Sequence, residues 1–399
     1  MKAKNATVQE PKKPVLKRIL LWATALVAFV FLARHPFLYI LKTENGRVFA
    51  SLYPVQEERW DHPRLQELRR REHLDQVIAP GKTEFEKMVL LRKWTRAQWS
   101  GKSSDFYYPP WDALEILDLA RQHDNQAFCA QYAIVYLQAC LALGWPAVYV
   151  DLPGHFVTAV WSNDFDRWVL MDPTGDVHYE RDGIPVNGRR LAAAYWSNDV
   201  RGITKVGSDG TRTPVHKEDL EIYRMYSIVL RNNHLTQPIS VERNGQRMTL
   251  VREADYRKYP LIGRDRVGFG DAFLAWKQNG QTEFFPNKIQ TDDPDNFRDP
   301  VNQTIIEVVS QDVEKGWIKL RLRPENSSTF QTFLVGGIGP KWEAAPSLIL
   351  FNLAFGMNRV YARIQTKFGW VGKPSSILIL YKPDFWEWFL NQLKKPAQD

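Results

Sequence analysis

The feature that most limits how this chain can fold is an uncharged, largely apolar run from Cys129 to Leu143. The run has no internal Gly or Pro, and it stops at Gly144-Trp145-Pro146, where a Gly followed by a Pro is typical of a helix end. The sequence therefore predicts a helix with Cys129 at its N-terminus. Backbone amides and the positive end of the helix dipole at that position stabilise a thiolate and can bind an oxyanion.

Three short strands are predicted directly after this helix. They cover 147–151, 155–161 and 167–171, each bounded by turn residues. His155 begins the second strand, and Asp172 follows the third. If these strands are antiparallel, the two positions fall at the same end of a hairpin, so we expect the imidazole and the carboxylate to lie side by side.

Cys129, His155 and Asp172 have the residue types and the order of a nucleophile, a base and an orienting acid. A thiol attacks a carbonyl as thiolate, which requires a nearby imidazole, and a carboxylate fixes the tautomer of that imidazole. Taken singly, a buried Cys, a strand His and an Asp in a turn more often have structural roles. Their order and flanking residues favour a catalytic triad.

The second cysteine, Cys140, lies in the same predicted helix as Cys129. Their separation along a helix is about 16 Å, which is far beyond the reach of a disulfide. We therefore expect Cys140 to be a core residue and the thiol of Cys129 to be free.

This segment resembles the transglutaminase-like superfamily of papain-type cysteine enzymes. The motif is a Cys with Ala four residues on, a helix ending in Gly-x-Pro, a His at the start of a strand, and Trp-x-x-x-Asp-Pro-Thr. The resemblance implies a papain-like core and a thioester intermediate formed from an amide bond. The match extends from Thr83 to Asp182 and is carried by Cys129, Ala133, Gly144, Pro146, His155, Trp168, Asp172, Pro173 and Thr174.

Two positions depart from the family pattern. Ala127 stands where the family often has a Gly two residues before the nucleophile, and Ala147-Val148 follow Gly-x-Pro where the family often has an Arg. The first departure affects the turn before the helix, and the second affects substrate contacts.

The donors that would stabilise an oxyanion are open to two interpretations. The backbone amide of Cys129 is the first candidate, and the second is Gln126 or an upstream indole. The resemblance implies a Trp a few tens of residues before the Cys, here Trp94 or Trp99. The alternative is that both indoles pack in the core.

The N-terminus combines a basic tail with an apolar segment. The net charge is +8, but residues 1–18 alone contain six Lys and Arg against Glu10. Because the chain has no arginine stripe or recognition motif, we expect no nucleic-acid partner. The apolar run 19–33 and a second patch at 37–41 predict an uncleaved transmembrane signal anchor over 19–41. The basic flank places the N-terminus in the cytoplasm and the main domains outside it.

A chain of 399 residues is long enough for two domains. The sequence predicts a transglutaminase-like domain over 42–225, in which a capping box at Thr83 and Glu86 begins a helix that runs to about Trp99. It predicts a β-sandwich over 226–382 and a final helix over 383–399.

Hairpin signals support the predicted sandwich. They are Asn244-Gly245, Asn279-Gly280 and Lys315-Gly316, each between short alternating strands. The later strands resemble the end of an immunoglobulin-like or fibronectin-like sandwich. The predicted fold class is therefore α+β: a papain-like transglutaminase core followed by an immunoglobulin-like β-sandwich, with one N-terminal transmembrane helix.

No cofactor or metal is expected. The acidic loop at residues 292–296 lacks the Gly and the closing Glu of an EF-hand, and zinc, phosphate and dinucleotide motifs are absent from the sequence. The patterns together indicate a membrane-anchored acyl-transfer enzyme that acts on protein, peptide or cell-wall amides, by hydrolysis or by cross-linking. The alternative is a non-catalytic envelope binding or scaffold protein that retains the fold.

Overall fold

The computed structural model describes residues 20–27, 30, 34–48, 51–99, 109–122, 127–238, 240–243, 246–249, 266–268, 273–277, 288–336 and 341–394. These residues form a mixed helical and β unit and a β-sandwich. The helices are α1 (Pro63–Arg71), α2 (Leu74–Ile78), α3 (Glu84–Arg96), α4 (Ala113–Gln122), α5 (Cys129–Ala142), α6 (Gly188–Ser197) and α7 (Phe385–Lys394), with 3-10 turns at η1 (Glu218–Met225) and η2 (Pro294–Phe297).

Strands account for most of the remaining described chain. The first eleven are β1 (Phe37–Glu44), β2 (Gln56–Glu57), β3 (Ala147–Leu152), β4 (His155–Ser162), β5 (Arg167–Asp172), β6 (Val177–Arg181), β7 (Ile184–Pro185), β8 (Ile203–Gly207), β9 (Arg212–Pro214), β10 (Ser227–Val229) and β11 (Arg231–Asn232). The others are β12 (Ser240–Arg243), β13 (Gln246–Thr249), β14 (Arg266–Gly268), β15 (Phe273–Trp276), β16 (Ile289–Thr291), β17 (Gln303–Asp312), β18 (Trp317–Glu325), β19 (Phe330–Gly336), β20 (Glu343–Ala345), β21 (Leu348–Asn352), β22 (Gly356–Thr366) and β23 (Ser375–Lys382).

The predicted central helix is α5, and it is the most deeply buried helix of the first unit. Every residue from Ala130 to Ala142 is buried, as expected for a helix that is apolar on all sides. It ends in a Schellman motif: Gly144 donates to the carbonyl of Leu141, and Trp145 donates to that of Cys140. Gly144 has φ +77°, and a Cβ there would come within 2.0 Å of the Phe368 ring, so only Gly fits.

The first unit has a sheet between two helical layers. The strand order is β16-β15-β10-β3-β4-β5-β6-β8-β9, with β7 paired to β6. One face of the sheet packs with the helices from α1 to α5, and the other packs with α6 and η1. The predicted strands 147–151, 155–161 and 167–171 are β3, β4 and β5, and they are antiparallel neighbours.

The capping box is confirmed at the start of α3. The Thr83 hydroxyl accepts from the Glu86 backbone N–H at 3.1 Å, and the Glu86 carboxylate accepts from that of Thr83 at 3.3 Å. The helix ends at Arg96 rather than at Trp99, so the predicted end was three residues too late.

The C-terminal unit is a β-sandwich. One sheet has the order β1-β23-β22-β19-β20 and the other β17-β18-β21, and the apolar side chains between them form a separate core. The predicted turn at Lys315-Gly316 joins β17 to β18. Asn244-Gly245 and Asn279-Gly280 lie outside the described residues, although the flanking β12 and β13 pair as an antiparallel hairpin.

The predicted domain boundary at residue 226 is wrong. β10, β15 and β16 extend the sheet of the first unit beyond β3, and the first strand of the sandwich after residue 226 is β17, which begins at Gln303. The alternating pattern of a short strand does not specify which sheet the strand joins. Here β10 pairs with β3, which would otherwise be an open edge of the first sheet.

The predicted anchor over 19–41 is also too long at its C-terminal end. Phe37–Leu41 belong to β1, which pairs with β23 and places Leu38 in the sandwich core. Residues 20–27 are helical, whereas the tail 1–18 and residues 19, 28–29 and 31–33 lie outside the described residues. No helix within the described residues is both long and apolar enough to cross a bilayer.

The two units contact each other through a loop that follows β22. The Trp370 indole N–H donates to the carbonyl of Leu143 at 3.0 Å, and its ring stacks on Trp145 with centroids 5.1 Å apart. The sandwich therefore packs against the C-terminal end of α5, at the opposite end of the helix from Cys129.

Candidate active site

Cys129 is the first residue of α5, where helical amides lack intrahelical partners. The preceding residue, Phe128, is extended, and its backbone N–H donates to the side-chain oxygen of Gln131 at 3.2 Å. The thiol is free and half-buried. Thr158 of β4 donates to the carbonyl of Ala133 at 3.0 Å, which fixes this end of α5 against the strand that His155 begins.

The register of β4 and β5 brings His155 and Asp172 together. Thr158 lies opposite Met171, so Asp172 is opposite Val157, two residues from His155 and on the same face of the sheet. The Nε2 atom of His155 lies 2.9 Å from Oδ2 of Asp172. The predicted pairing at one end of a hairpin is thus present in the structure.

The carboxylate of Asp172 is held in place from a second side. Its Oδ1 atom accepts the backbone N–H groups of Thr174 and Gly175 at 2.9 and 3.1 Å. The Asp-Pro-Thr segment is therefore a turn, which is the structural role that such a segment commonly has. The same turn directs Oδ2 of Asp172 toward the imidazole. One carboxylate oxygen caps the turn while the other orients His155.

The charge of His155 is set by its two neighbours. Burial lowers the pKa of the imidazole, but hydrogen bonds with Asp172 and with Cys129 outweigh burial and raise the pKa to about 10. Because Nε2 of His155 bonds to Asp172, Nδ1 is the ring nitrogen that remains for an interaction with the thiol. The ring thus lies between a carboxylate and a sulfur, and both neighbours favour its protonated form.

The predicted oxyanion donors have different outcomes. Gln126 lies outside the described residues. Trp94 and Trp99 belong to the core around α5, and Trp99 packs on Tyr132 with ring centroids 4.2 Å apart. Core packing, the alternative interpretation, describes both indoles.

Gln131 is a donor that the sequence did not single out. It is buried, and its carbonyl oxygen takes the Phe128 N–H, while its Nε2 has no hydrogen-bond partner in the described part of the chain. A buried amide without a partner is costly. The signal was present in the sequence, since a Gln three residues after Phe128 is at the capping-box position, but a capping role does not reveal an unused N–H.

A buried polar network lies behind Asp172 and was also missed. Arg92 of α3 is fully buried and donates to Asp176 at 2.9 Å, to His178 Nδ1 at 2.9 Å and to the sulfur of Met171 at 3.3 Å. His178 Nε2 in turn lies 3.0 Å from Glu180. This network ties α3 to the turn between β5 and β6, which is the turn that holds Asp172.

No three His, Cys, Asp or Glu side chains among the described residues lie close enough together to hold a metal ion.

No protein-family model matches this chain, and no curated protein matches it. Among solved structures, the chain is similar to a transglutaminase from red sea bream, with 12% identity and a TM-score of 0.24. The alignment covers 86% of this chain and 77% of that one. A likeness at this level does not establish a common fold, so what can be proposed about the chemistry depends on the geometry of Cys129, His155 and Asp172.

Proposed function

We propose that this protein is a thiol-dependent acyl-transfer enzyme that acts on amide bonds through Cys129, His155 and Asp172. One observation carries the proposal: the imidazole of His155 is hydrogen-bonded to the Asp172 carboxylate at 2.9 Å, and the Cys129 thiol is close enough to the same ring to raise its pKa. A buried histidine with only a structural role has no need of a half-exposed thiol as its second partner.

In the first half of the reaction, the Cys129 thiolate attacks the carbonyl carbon of the amide. The carbonyl electron pair moves to oxygen and gives a tetrahedral oxyanion beside the N-terminus of α5. His155 then transfers its proton to the departing nitrogen as the C–N bond breaks, which leaves a thioester and a neutral amine. Asp172 stabilises the imidazolium before transfer and keeps the ring oriented afterwards.

In the second half, an acceptor attacks the thioester. His155 removes a proton from the acceptor, the C–S bond breaks, and the thiolate and imidazolium are restored. Water as acceptor gives hydrolysis, and an amine gives cross-linking. We favour hydrolysis of a protein, peptide or cell-wall amide, because water is always available.

Two donors near Cys129 are the candidates for the oxyanion. The first is the backbone amide of Cys129, at the start of α5. The second is Nε2 of Gln131, which is buried two residues further along the helix with its N–H groups unused by the described residues. Trp94, the indole candidate, is partly buried and packs against the core around α5.

Alkylation of Cys129 by iodoacetamide tests the proposal without knowledge of the substrate. An ordinary thiol is mostly protonated at pH 6, and we expect His155→Ala to slow alkylation of Cys129 at that pH by about 10²-fold. Cys129→Ala gives the background, because Cys140 is fully buried. His178→Ala, which replaces a buried histidine two strands away in the same sheet, is the matched control and should react at the wild-type rate.

The opposite result would reject the enzyme hypothesis. If wild type and His155→Ala both follow the pH dependence of an ordinary thiol, the fold has kept the arrangement without an activated nucleophile. The chain would then be better described as a binding or scaffold protein of the cell envelope.

Substrate class requires a separate measurement. Profiling of wild type and Cys129→Ala against peptides, glutamine donors and cell-wall fragments should reveal turnover in the wild type alone. Release of amine without incorporation of an added amine would favour hydrolysis, whereas incorporation would favour cross-linking.

The proposed location is a membrane, with the N-terminus in the cytoplasm and the main units outside. The basic residues before position 19 support this orientation. Protease added to intact cells should digest the large units. Full protection of them, with digestion of the N-terminus instead, would reverse the orientation.

A further inference from the structure

The C-terminal helix α7 presents a broad apolar face. Phe385, Trp386, Phe389 and Leu390 lie at spacings of one, four and five residues, so they share one side of the helix. All four side chains are exposed, from 36% to 52%. Trp388 points to another side and packs on Phe355 with ring centroids 5.4 Å apart. The helix is thus attached to the sandwich through one side while its most apolar side is uncovered.

The apolar face continues onto the outer surface of the adjoining sheet. Met357 of β22 and Tyr39 of β1 both pair with Leu380 of β23 and form one transverse row. Met357 and Tyr39 are about 60% exposed, and the neighbouring Phe355 is 55% exposed. We name α7, Phe355 and this row the terminal apolar surface.

A basic row lies immediately behind this surface. Arg359 and Lys42 both pair with Leu378, two residues before Leu380 in β23, so the cations lie about 7 Å from the apolar row. Both side chains are exposed to solvent. Apolar and aromatic side chains at one level, with cations a few ångströms behind them, match the boundary between acyl chains and anionic headgroups.

The N-terminal apolar segment enters at the same end of the sandwich. Phe37, the first residue of β1, pairs with Lys382, three residues before α7, and the Lys382 ammonium donates to the carbonyl of His35 at 3.2 Å. Leu20, Leu21 and Trp22, in the helical stretch before it, are themselves at least 70% exposed. β1 therefore begins beside the start of α7, at the same end of the sandwich.

We propose that the terminal apolar surface is a second membrane contact, and that α7 lies in the interface of a lipid bilayer that carries anionic headgroups. A bilayer accommodates both terminal segments at once, and its anionic headgroups complement the exposed Arg359, whereas Lys42 already has Glu44 as an ion-pair partner. The sandwich then rests with its α7 end on the membrane, and the first unit is held at a fixed distance from the bilayer. The proposal rests on the proposed membrane location and is independent of the chemistry at Cys129.

Site-specific fluorescence in the full chain tests this contact. In a Cys129→Ser background, Cys140 is buried, so a new cysteine can be labelled with an environment-sensitive nitrobenzoxadiazole probe. Leu390→Cys and Trp386→Cys place the probe on the uncovered side of α7. Arg201→Cys, on a side chain that is 91% exposed in the first unit, is the control.

The labelled proteins are reconstituted in vesicles of phosphatidylcholine and phosphatidylglycerol. We expect doxyl-labelled lipids to quench the two α7 probes at least twofold and aqueous iodide to leave them unaffected, with the reverse at position 201. Replacement of phosphatidylglycerol by phosphatidylcholine should reduce the lipid quenching. Quenching of the α7 probes by iodide alone would show that the surface faces water and overturn the proposal. Protection from both quenchers would mean that another part of the chain or a second copy covers α7, which also overturns it.

Discussion

His155 and His178 lie on two strands of the same sheet, and each is hydrogen-bonded through Nε2 to a carboxylate, yet their protonation differs. The pKa of His155 is raised to about 10, whereas that of His178 is lowered to about 4. A carboxylate partner alone therefore does not make an imidazole cationic. The second neighbour and the degree of burial decide the outcome.

Burial lowers the pKa of both rings, and their other contacts separate them. His178 is 3% exposed, and the Arg92 guanidinium repels a second positive charge, which lowers its pKa further. The side chain of His155 is 20% exposed, and its second contact is the Cys129 thiol, which raises its pKa. Each histidine thus bonds to a carboxylate, but its other neighbour acts in opposite directions: Cys129 raises the pKa of His155, and Arg92 lowers that of His178.

The difference also fixes the tautomer of His178. A neutral imidazole has one N–H, and because Arg92 donates to Nδ1, the proton lies on Nε2 and is donated to Glu180. His178 is therefore a fixed, neutral link between Arg92 and Glu180. His155, in contrast, carries a proton that it can transfer.

The largest expected effect is a difference in turnover between two variants, each of which removes the charge of one carboxylate partner. Asp172→Asn should lower turnover on the order of 10³–10⁴-fold, because the imidazolium loses its stabilising charge and its orientation. Glu180→Gln should change turnover by less than about threefold, because His178 is already neutral. The measurement is the turnover number on the profiled substrate, together with the rate of iodoacetamide alkylation at pH 6. Equal losses in the two variants would mean that the two histidines do not differ in role.

The next largest effect is on stability, at the residue that keeps His178 neutral. Arg92→Met leaves Asp176 and His178 without their buried cation, and breaking such a pair from one side costs about 3–5 kcal/mol. The pKa of His178 should also rise, since Arg92 is one cause of its depression. Urea unfolding measures the free energy, and NMR titration of the His178 ring measures the pKa.

A matched surface variant separates this effect from loss of any arginine. Arg69→Met removes an ion pair with Asp75, whose side chain is 60% exposed, and should cost at most about 1 kcal/mol. A loss at Arg92→Met no larger than the loss at Arg69→Met would show that the buried network does not stabilise the turn at Asp172.

The sequence was sufficient for the parts of the site that local patterns determine. Cys129 at a helix start, the Gly144 stop, and His155 and Asp172 at the ends of adjacent strands follow from periodicity, turn residues and hairpin pairing. These features involve neighbours along the chain, so their contacts are short-range. The resemblance supplied the order of the three residues.

Contacts between distant segments could not be predicted in the same way. Arg92 lies in an apolar helical pattern where a charge suggests a solvated position, and only the packing of α3 against the β5–β6 turn shows that it is buried. The pairing of β1 with β23 joins residues near the two ends of the chain. Neither contact leaves a local signal, because a strand or an ion pair does not specify its partner by composition.

The smallest expected effect is a pH dependence of stability with opposite signs for the two histidines. For His178 the folded pKa of about 4 is below the usual 6.5, so its contribution is lost as the pH falls from 6.5 through 4. For His155 the folded pKa of about 10 is above 6.5, so its contribution is present below pH 6.5 and is lost as the pH rises through 10. Thermal unfolding between pH 4 and pH 10 should therefore show a flatter acid side in His178→Gln and a flatter alkaline side in His155→Gln. We expect the change in Tm across each titrated pH range to differ from that of the wild type on the order of 2–4 °C. Each variant is the control for the other, and flattening on the same side in both would mean that one shared group, rather than two opposed histidines, controls the titration.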